Sequence, residues 1–149
     1  MLKYFIPLTA AAMLMGCEAG VGIHPEASSS RQETAQLAAY AANTNYPTET
    51  KATWNNDWHV GAMTKGSDVK FINYTDRPIN NVNIWVNGTY VHSVESIAPR
   101  SSVTVPMANF FDKNGHVMST DNTPMGTAHF EIQSGNGLYS VMGPVAEQE

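Results

Sequence analysis

The sequence predicts an all-β domain, and three observations carry that expectation. Short segments rich in β-branched and aromatic residues recur from Trp58 onward, several with apolar and polar positions alternating. Turn-forming residues separate them: Lys65-Gly66, Asp76-Arg77-Pro78, Asn87-Gly88, Ala98-Pro99-Arg100-Ser101, Asp112-Lys113-Asn114-Gly115 and Ser134-Gly135-Asn136-Gly137. No helical period emerges after residue 50.

Trp58 to Met63 is the first expected strand, ended by Lys65-Gly66. Val69 to Tyr74 is the second, with Val69 and Phe71 on one face and Ile72 and Tyr74 on the other. Pro78 breaks it, having no N–H to give a ladder. Val82–Val86, Asn87-Gly88 and Thr89–Val94 then read as a hairpin with a two-residue loop, because Asn-Gly tolerates the left-handed backbone such loops need. A two-residue loop sets Val86 against Thr89, Trp85 against Tyr90, Ile84 against Val91 and Asn83 against His92. Val82, Ile84, Val86 and Val91 then line the core face, with Asn83, Trp85, Tyr90 and His92 opposite. Ser102–Val105 alternates until Pro106 ends it, and Asn109–Phe111 leads into the Asp112–Gly115 turn. Thr127–Gln133 points Ala128, Phe130 and Ile132 inward, and Leu138–Met142 closes a second hairpin. The sum is an antiparallel, immunoglobulin- or fibronectin-like β-sandwich of about seven strands over residues 51–145, with a loose tail at 146–149. A small β-barrel is the second choice. The Cys…Trp…Cys pattern of immunoglobulin domains is absent, so only the architecture is expected.

The chain has 149 residues, which is one domain plus some extra length. Charged residues make up 14% of it, and 8 Lys+Arg against 13 Asp+Glu give a net charge of −5. That balance offers no basic face for nucleic acid. One cysteine excludes an intrachain disulfide. The N-terminus has Lys3, then an uncharged and mostly apolar run from Tyr4 to Met15. The run is shorter than the roughly 20 residues that cross a bilayer and suits the apolar region of an export signal. It ends in Leu14-Met15-Gly16-Cys17, which resembles the lipobox of bacterial lipoproteins. The resemblance implies a signal peptide over 1–16, cleavage before Cys17, a diacylglyceryl group on the Cys17 thiol, and acylation (as with palmitate) of the new amino group. It also implies, through Glu18 rather than Asp after the cysteine, sorting to the outer membrane, with the domain in the periplasm. Anchoring would fall to the lipid, since two or more acyl chains hold stably and the acidic chain gains nothing from an anionic surface.

Residues 17–50 read as the lipidated N-terminus and a flexible tether. Gly20, Gly22, Pro25, Ser28, Ser29 and Ser30 form its lead. Arg31–Ala42 is an alanine-rich nascent helix, with Ser30 and Glu33 at capping-box spacing and little apolar surface to dock. Asn43–Thr50 is linker again.

Candidate chemistry is sparse. Soft imidazole and thioether ligands suit copper, and His116-Val117-Met118 puts two of them on one side of a strand, where His129 could join. The Asp112–Gly115 stretch has the first ligand types of a calcium loop, but its glycine comes too early and the closing Glu is missing, so a β-turn is expected. No nucleophile elbow or linked Ser–His–acid spacing is present. The expected Trp85–Tyr90 pair, flanked by Asn83 and His92, forms the candidate binding surface, with Trp54 and Trp58 upstream. Phe71–Pro78 together with Trp85–Gly88 looks like small uncharacterised bacterial lipoproteins, a likeness that brings no activity. The expectation is a lipid-anchored, non-enzymatic binding or accessory module of the cell envelope. It needs no cofactor, touches the membrane through Cys17, and meets an envelope protein partner. A periplasmic copper-binding protein using His116, Met118 and His129 is the alternative.

Overall fold

The computed structural model describes residues 25–53, 59–121 and 123–146. The lipobox, Glu18, Trp54, Trp58 and the last three residues lie outside them. The chain is an all-β sandwich with one helix laid on it: α1 (Pro25–Ala42), then β1 (Val60–Lys65), β2 (Asp68–Asn73), β3 (Ile79–Val86), β4 (Tyr90–Ile97), β5 (Ser102–Pro106), β6 (Phe130–Ser134), β7 (Gly137–Ser140) and β8 (Met142–Ala146). One sheet has the order β5-β2-β1-β8 and the other β4-β3-β6-β7.

The space between the sheets is filled as the alternation predicts. Val69 and Phe71 face Val82, Ile84, Val86, Phe130 and Ile132, all essentially inaccessible to solvent. Phe71 meets the Phe130 ring at 5.3 Å and 79°, an edge-to-face contact. In β3 and β4 the alternation is broken: Ile79 and Val82 are both buried, as are Val94 and Ile97, three residues apart in each strand. Asn81 takes a left-handed backbone (φ 52°) between the first pair, which re-aims the strand.

Two features depart from an antiparallel sandwich of seven strands. Met142–Ala146 forms an eighth strand, parallel to β1, with Gly61 against Met142 and Met63 against Val145. The tail expected from residue 146 therefore follows a strand that the Gly143-Pro144 pair had disguised. Gly143 is required there: its φ is 99°, and a Cβ would collide with the carbonyl of Ala62. The segment after β5 also builds structure. Phe111 bridges Val91 and Val117, so a small hairpin around the Asp112–Gly115 turn extends the second sheet beyond β4. Phe110 and Met118 point into the main core, while Phe111 points to the opposite side of the sheet.

The helix corrects the expectation of a short nascent one. It begins at Pro25, where a missing N–H costs nothing, and Ser30 lies inside it. Its far end is closed by side chains: Asn43 Nδ2 donates to the Ala39 carbonyl at 2.8 Å and Thr44 Oγ1 to the Tyr40 carbonyl at 2.7 Å. Leu37, Ala38 and Ala41 dock on Trp85, Val91, Phe111 and Leu138. Small alanines let the helix come close to the sheet, so little apolar surface suffices.

Asn73, fully buried, ties the loops at one end of the sandwich. Its Nδ2 donates to the carbonyls of Arg77 (2.8 Å), Ile97 (3.1 Å) and Ala98 (3.2 Å), and its Oδ1 accepts from the Thr75 N–H and hydroxyl. Asn73→Asp keeps the shape, removes the donors and sets a carboxylate against three carbonyls. Urea unfolding is expected to register a loss of about 3 kcal/mol at neutral pH, and a smaller loss where the new carboxyl is protonated.

Candidate functional site

The β3–β4 turn decides which side chains face outward. Asn87 and Gly88 take the expected left-handed backbone (φ 52° and 64°), and the Thr89 N–H reaches the Val86 carbonyl at 3.0 Å. The ladder, however, pairs Val86 with Tyr90, Trp85 with Val91, Ile84 with His92 and Asn83 with Ser93. Thr89 is one residue more than a two-residue loop contains, and it shifts β4 by one place. A one-residue slip exchanges the faces of a strand. Val91 therefore joins Trp85 and Asn83 on the outer side, while Tyr90 and His92 turn toward the main core.

The four residues of the expected binding surface are thus divided. Tyr90 packs half-buried against the main core. His92 lies with its ring 5.5 Å from Phe110, and its Nδ1 is 3.1 Å from the Asn109 carbonyl, which can only accept. Burial pushes His92 below its ordinary value, against the opposing pull of that carbonyl and of the Glu33 charge. Trp85 is only 2% exposed, under Tyr46 and the end of α1.

The outer face of the second sheet is half polar, and its cover matches it. Trp85 Nε1 donates to Gln133 Oε1 at 2.9 Å, the Tyr40 hydroxyl to Asn83 Oδ1 at 2.6 Å, and the Tyr46 hydroxyl to Glu131 Oε2 at 2.7 Å. Glu131 is 5% exposed, and His129 Nε2 lies 3.4 Å from its other oxygen. The Tyr46 ring meets Trp85 edge-on at 5.3 Å. Burial, the hydrogen bond to Glu131 and the Glu131 charge together push the Tyr46 hydroxyl up to about 12.

Where this cover ends, a cleft of about 540 Å³ opens. Its walls are the segment after α1 (Thr44, Asn45, Tyr46, Thr48), the β3–β4 turn (Gly88, Thr89) and the Asp112–Asn114 turn, with Trp85 and Ala41 at the base. The lone acid in this lining is already committed. Asp112 Oδ1 accepts from the Asn114 and His116 N–H groups at 2.8 Å each, and Oδ2 is 3.0 Å from His116 Nδ1. Burial raises the Asp112 carboxyl, but these contacts outweigh it and hold the group below its usual value. The β-turn expected at 112–115 is therefore present and closed by its own first residue. By contrast Asn45, Thr48, Lys113 and Asn114 have no side-chain hydrogen bond or ion pair among the described residues. The cleft offers amides, hydroxyls and ring edges.

The candidate copper ligands are not brought together. Met118 is 1% exposed inside the main core, whereas the His116 ring stands at the surface on Asp112 and that of His129 beside Glu131. The alternation that should share a face between residues 116 and 118 fails because His116 belongs to the turn. Among the described residues no three His, Cys, Asp or Glu side chains converge as a metal requires. Of the cleft, sequence reasoning singled out Trp85 and the Asp112 turn. It missed Asn45, Tyr46 and Thr48, whose one signal was a tyrosine before Pro47 inside an apparent linker.

Tyr46→Phe leaves the Glu131 carboxylate short of a donor and is expected to cost about 1–2 kcal/mol in chemical denaturation at neutral pH. Since the folded hydroxyl titrates near 12 and the free one near 10.0, its contribution is complete below pH 10.0 and lost as pH rises through 12. The stabilities of wild type and Tyr46→Phe should converge over that alkaline window. His92 has the opposite sign: a depressed histidine contributes above its ordinary value of 6.5 and that contribution is lost as pH falls further. Below about pH 6.5, wild type should therefore lose stability more steeply than His92→Phe in thermal melts. No family model, curated protein or solved structure matches this chain, so a functional reading rests on the residues themselves.

Proposed function

We propose that this chain is a lipid-anchored protein of the bacterial cell envelope, held through Cys17 on the periplasmic side of the outer membrane. Its sandwich acts there as a non-enzymatic binding or accessory module, and the cleft beside Trp85 is its binding site. The observation that carries this reading is the state of the cleft's polar groups. Its acid is bound into its own turn, while among the described residues the Asn45 and Asn114 amides, the Thr48 hydroxyl and the Lys113 ammonium make no side-chain bond. Such a lining recognises by hydrogen bonding. The lipobox supports the anchor. No helix among the described residues is long and apolar enough to cross a membrane.

Two measurements test the two halves. Cys17→Ser should abolish incorporation of a palmitate analogue and move the protein from the membrane to the soluble fraction; continued labelling would remove the anchor. A photo-crosslinking residue at position 45, in the cleft wall, should capture a specific envelope component in whole cells. The same residue at position 104, on exposed β5, should not. Equal adducts at both positions, or none at 45, would remove the cleft as the binding site.

A further inference from the structure

We propose that the cleft takes an uncharged, hydroxyl-rich saccharide chain, an inference that rests on the binding-module reading above and names its ligand class. The two aromatic residues of the cleft have no free polar hydrogen to offer a ligand. The Trp85 N–H is bound to Gln133 and the Tyr46 hydroxyl to Glu131, both away from the opening. Trp85, 2% exposed, closes the base, so the carbon surface open to a ligand is that of the half-buried Tyr46 ring. Around it stand the uncommitted carboxamides of Asn45 and Asn114 and the Thr48 hydroxyl. A carboxamide presents a donor and an acceptor side by side, which suits neighbouring hydroxyls that each donate and accept. A pyranose has the complementary form, with C–H faces ringed by hydroxyls.

Other ligand classes fit less well. An anion would meet one ammonium, Lys113, next to the ionised Asp112, which already takes the Asn114 and His116 N–H groups of its turn. A peptide that adds as a strand needs a free strand edge. This cleft is walled by two turns and the segment after α1, with only Trp85 contributed by a strand. Its size lies within the range for small-molecule sites, but its rim is more polar than the mostly apolar lining of most such pockets. A polar rim around ring carbon asks for a ligand that is itself amphipathic on the scale of one ring.

Two kinds of envelope glycan carry this chemistry: amino-sugar strands and neutral hexose polymers. Titration calorimetry of the detergent-solubilised full chain with chitotetraose and with maltotetraose distinguishes them. One of the two is expected to bind with a stoichiometry of one, unchanged between low and high salt because the ligand carries no charge. Asn45→Ala and Asn114→Ala should each weaken binding about tenfold, the effect of one lost polar contact. Thr104→Ala on the far sheet should change nothing. Both asparagines are exposed and make no internal side-chain bond, so these variants should melt as wild type does. Absence of binding by either sugar, or binding that ignores both asparagines, overturns the saccharide. If position 45 nevertheless crosslinks to an envelope protein, the saccharide falls and the binding module stands. If neither sugar nor crosslink is found, both fall.

Discussion

The second sheet has apolar side chains on both faces, and covering both is the constraint on which the rest of the molecule depends. Its inner face meets the first sheet in the usual way of a sandwich. Its outer face carries Trp85, Val91 and Leu138, joined by Phe111 from the added hairpin. Burying side chains of this kind stabilises by roughly 1.5–3 kcal/mol each. Left open, they would form a sticky patch. Helix α1 closes that face, and a helix in a protein draws most of its stability from such packing rather than from its own propensity. Sheet and helix therefore depend on each other, and the segment before residue 50 is part of the fold.

The chemistry of that face also dictates the chemistry of its cover. Asn83, Glu131 and Gln133 lie among the apolar residues of the same sheet face. Covering them without partners would cost more than the apolar contacts return. Tyr40 and Tyr46 resolve the conflict: each brings a hydroxyl for a polar side chain, and the Tyr46 ring also packs on Trp85. Apolar contact alone would let a helix of small residues slide along the sheet. Two hydroxyls fixed on Asn83 and Glu131, which lie on different strands, pin its position.

Much of the fold was legible in the sequence where alternation and turn chemistry agreed. The strands around Val69–Phe71, Ser102–Val105 and Phe130–Ile132 follow it, as does the β6–β7 hairpin with its Gly135-Asn136 loop. The β3–β4 register was not legible. Asn87 and Gly88 satisfy the same left-handed turn whether the ladder resumes at Thr89 or at Tyr90, and the residues carry no mark of which. Alanine hid the docked helix, because Ala38 and Ala41 on the buried side look like every other alanine in the segment. Pro144 hid β8. The candidate site was half legible: Trp85 stood out as an aromatic on a β-strand, but its partners Tyr46 and Asn45 come from a stretch whose composition reads as linker. Their role depends on where α1 docks, a tertiary fact with no local pattern.

The cleft and the cover are one construction. Thr44 caps the helix that hides Trp85 and also lines the opening beside it. Tyr46 is bound to Glu131 in the sheet and forms the cleft wall over Gly88, where its ring would stand 3.4 Å from any added Cβ. A glycine at position 88 is thus asked for twice, by the left-handed turn and by the close ring. Any force or ligand that shifts α1 must move Ala41, Thr44 and Tyr46 together, and with them the base and one wall of the cleft. On the proposed anchoring through Cys17, the covalent path from the anchor to the sandwich runs through that same helix. On the proposed function, occupation of the cleft and docking of the helix would be linked: a ligand that needs Tyr46 in place would stabilise the docked helix, and tension that undocks the helix would dismantle the cleft.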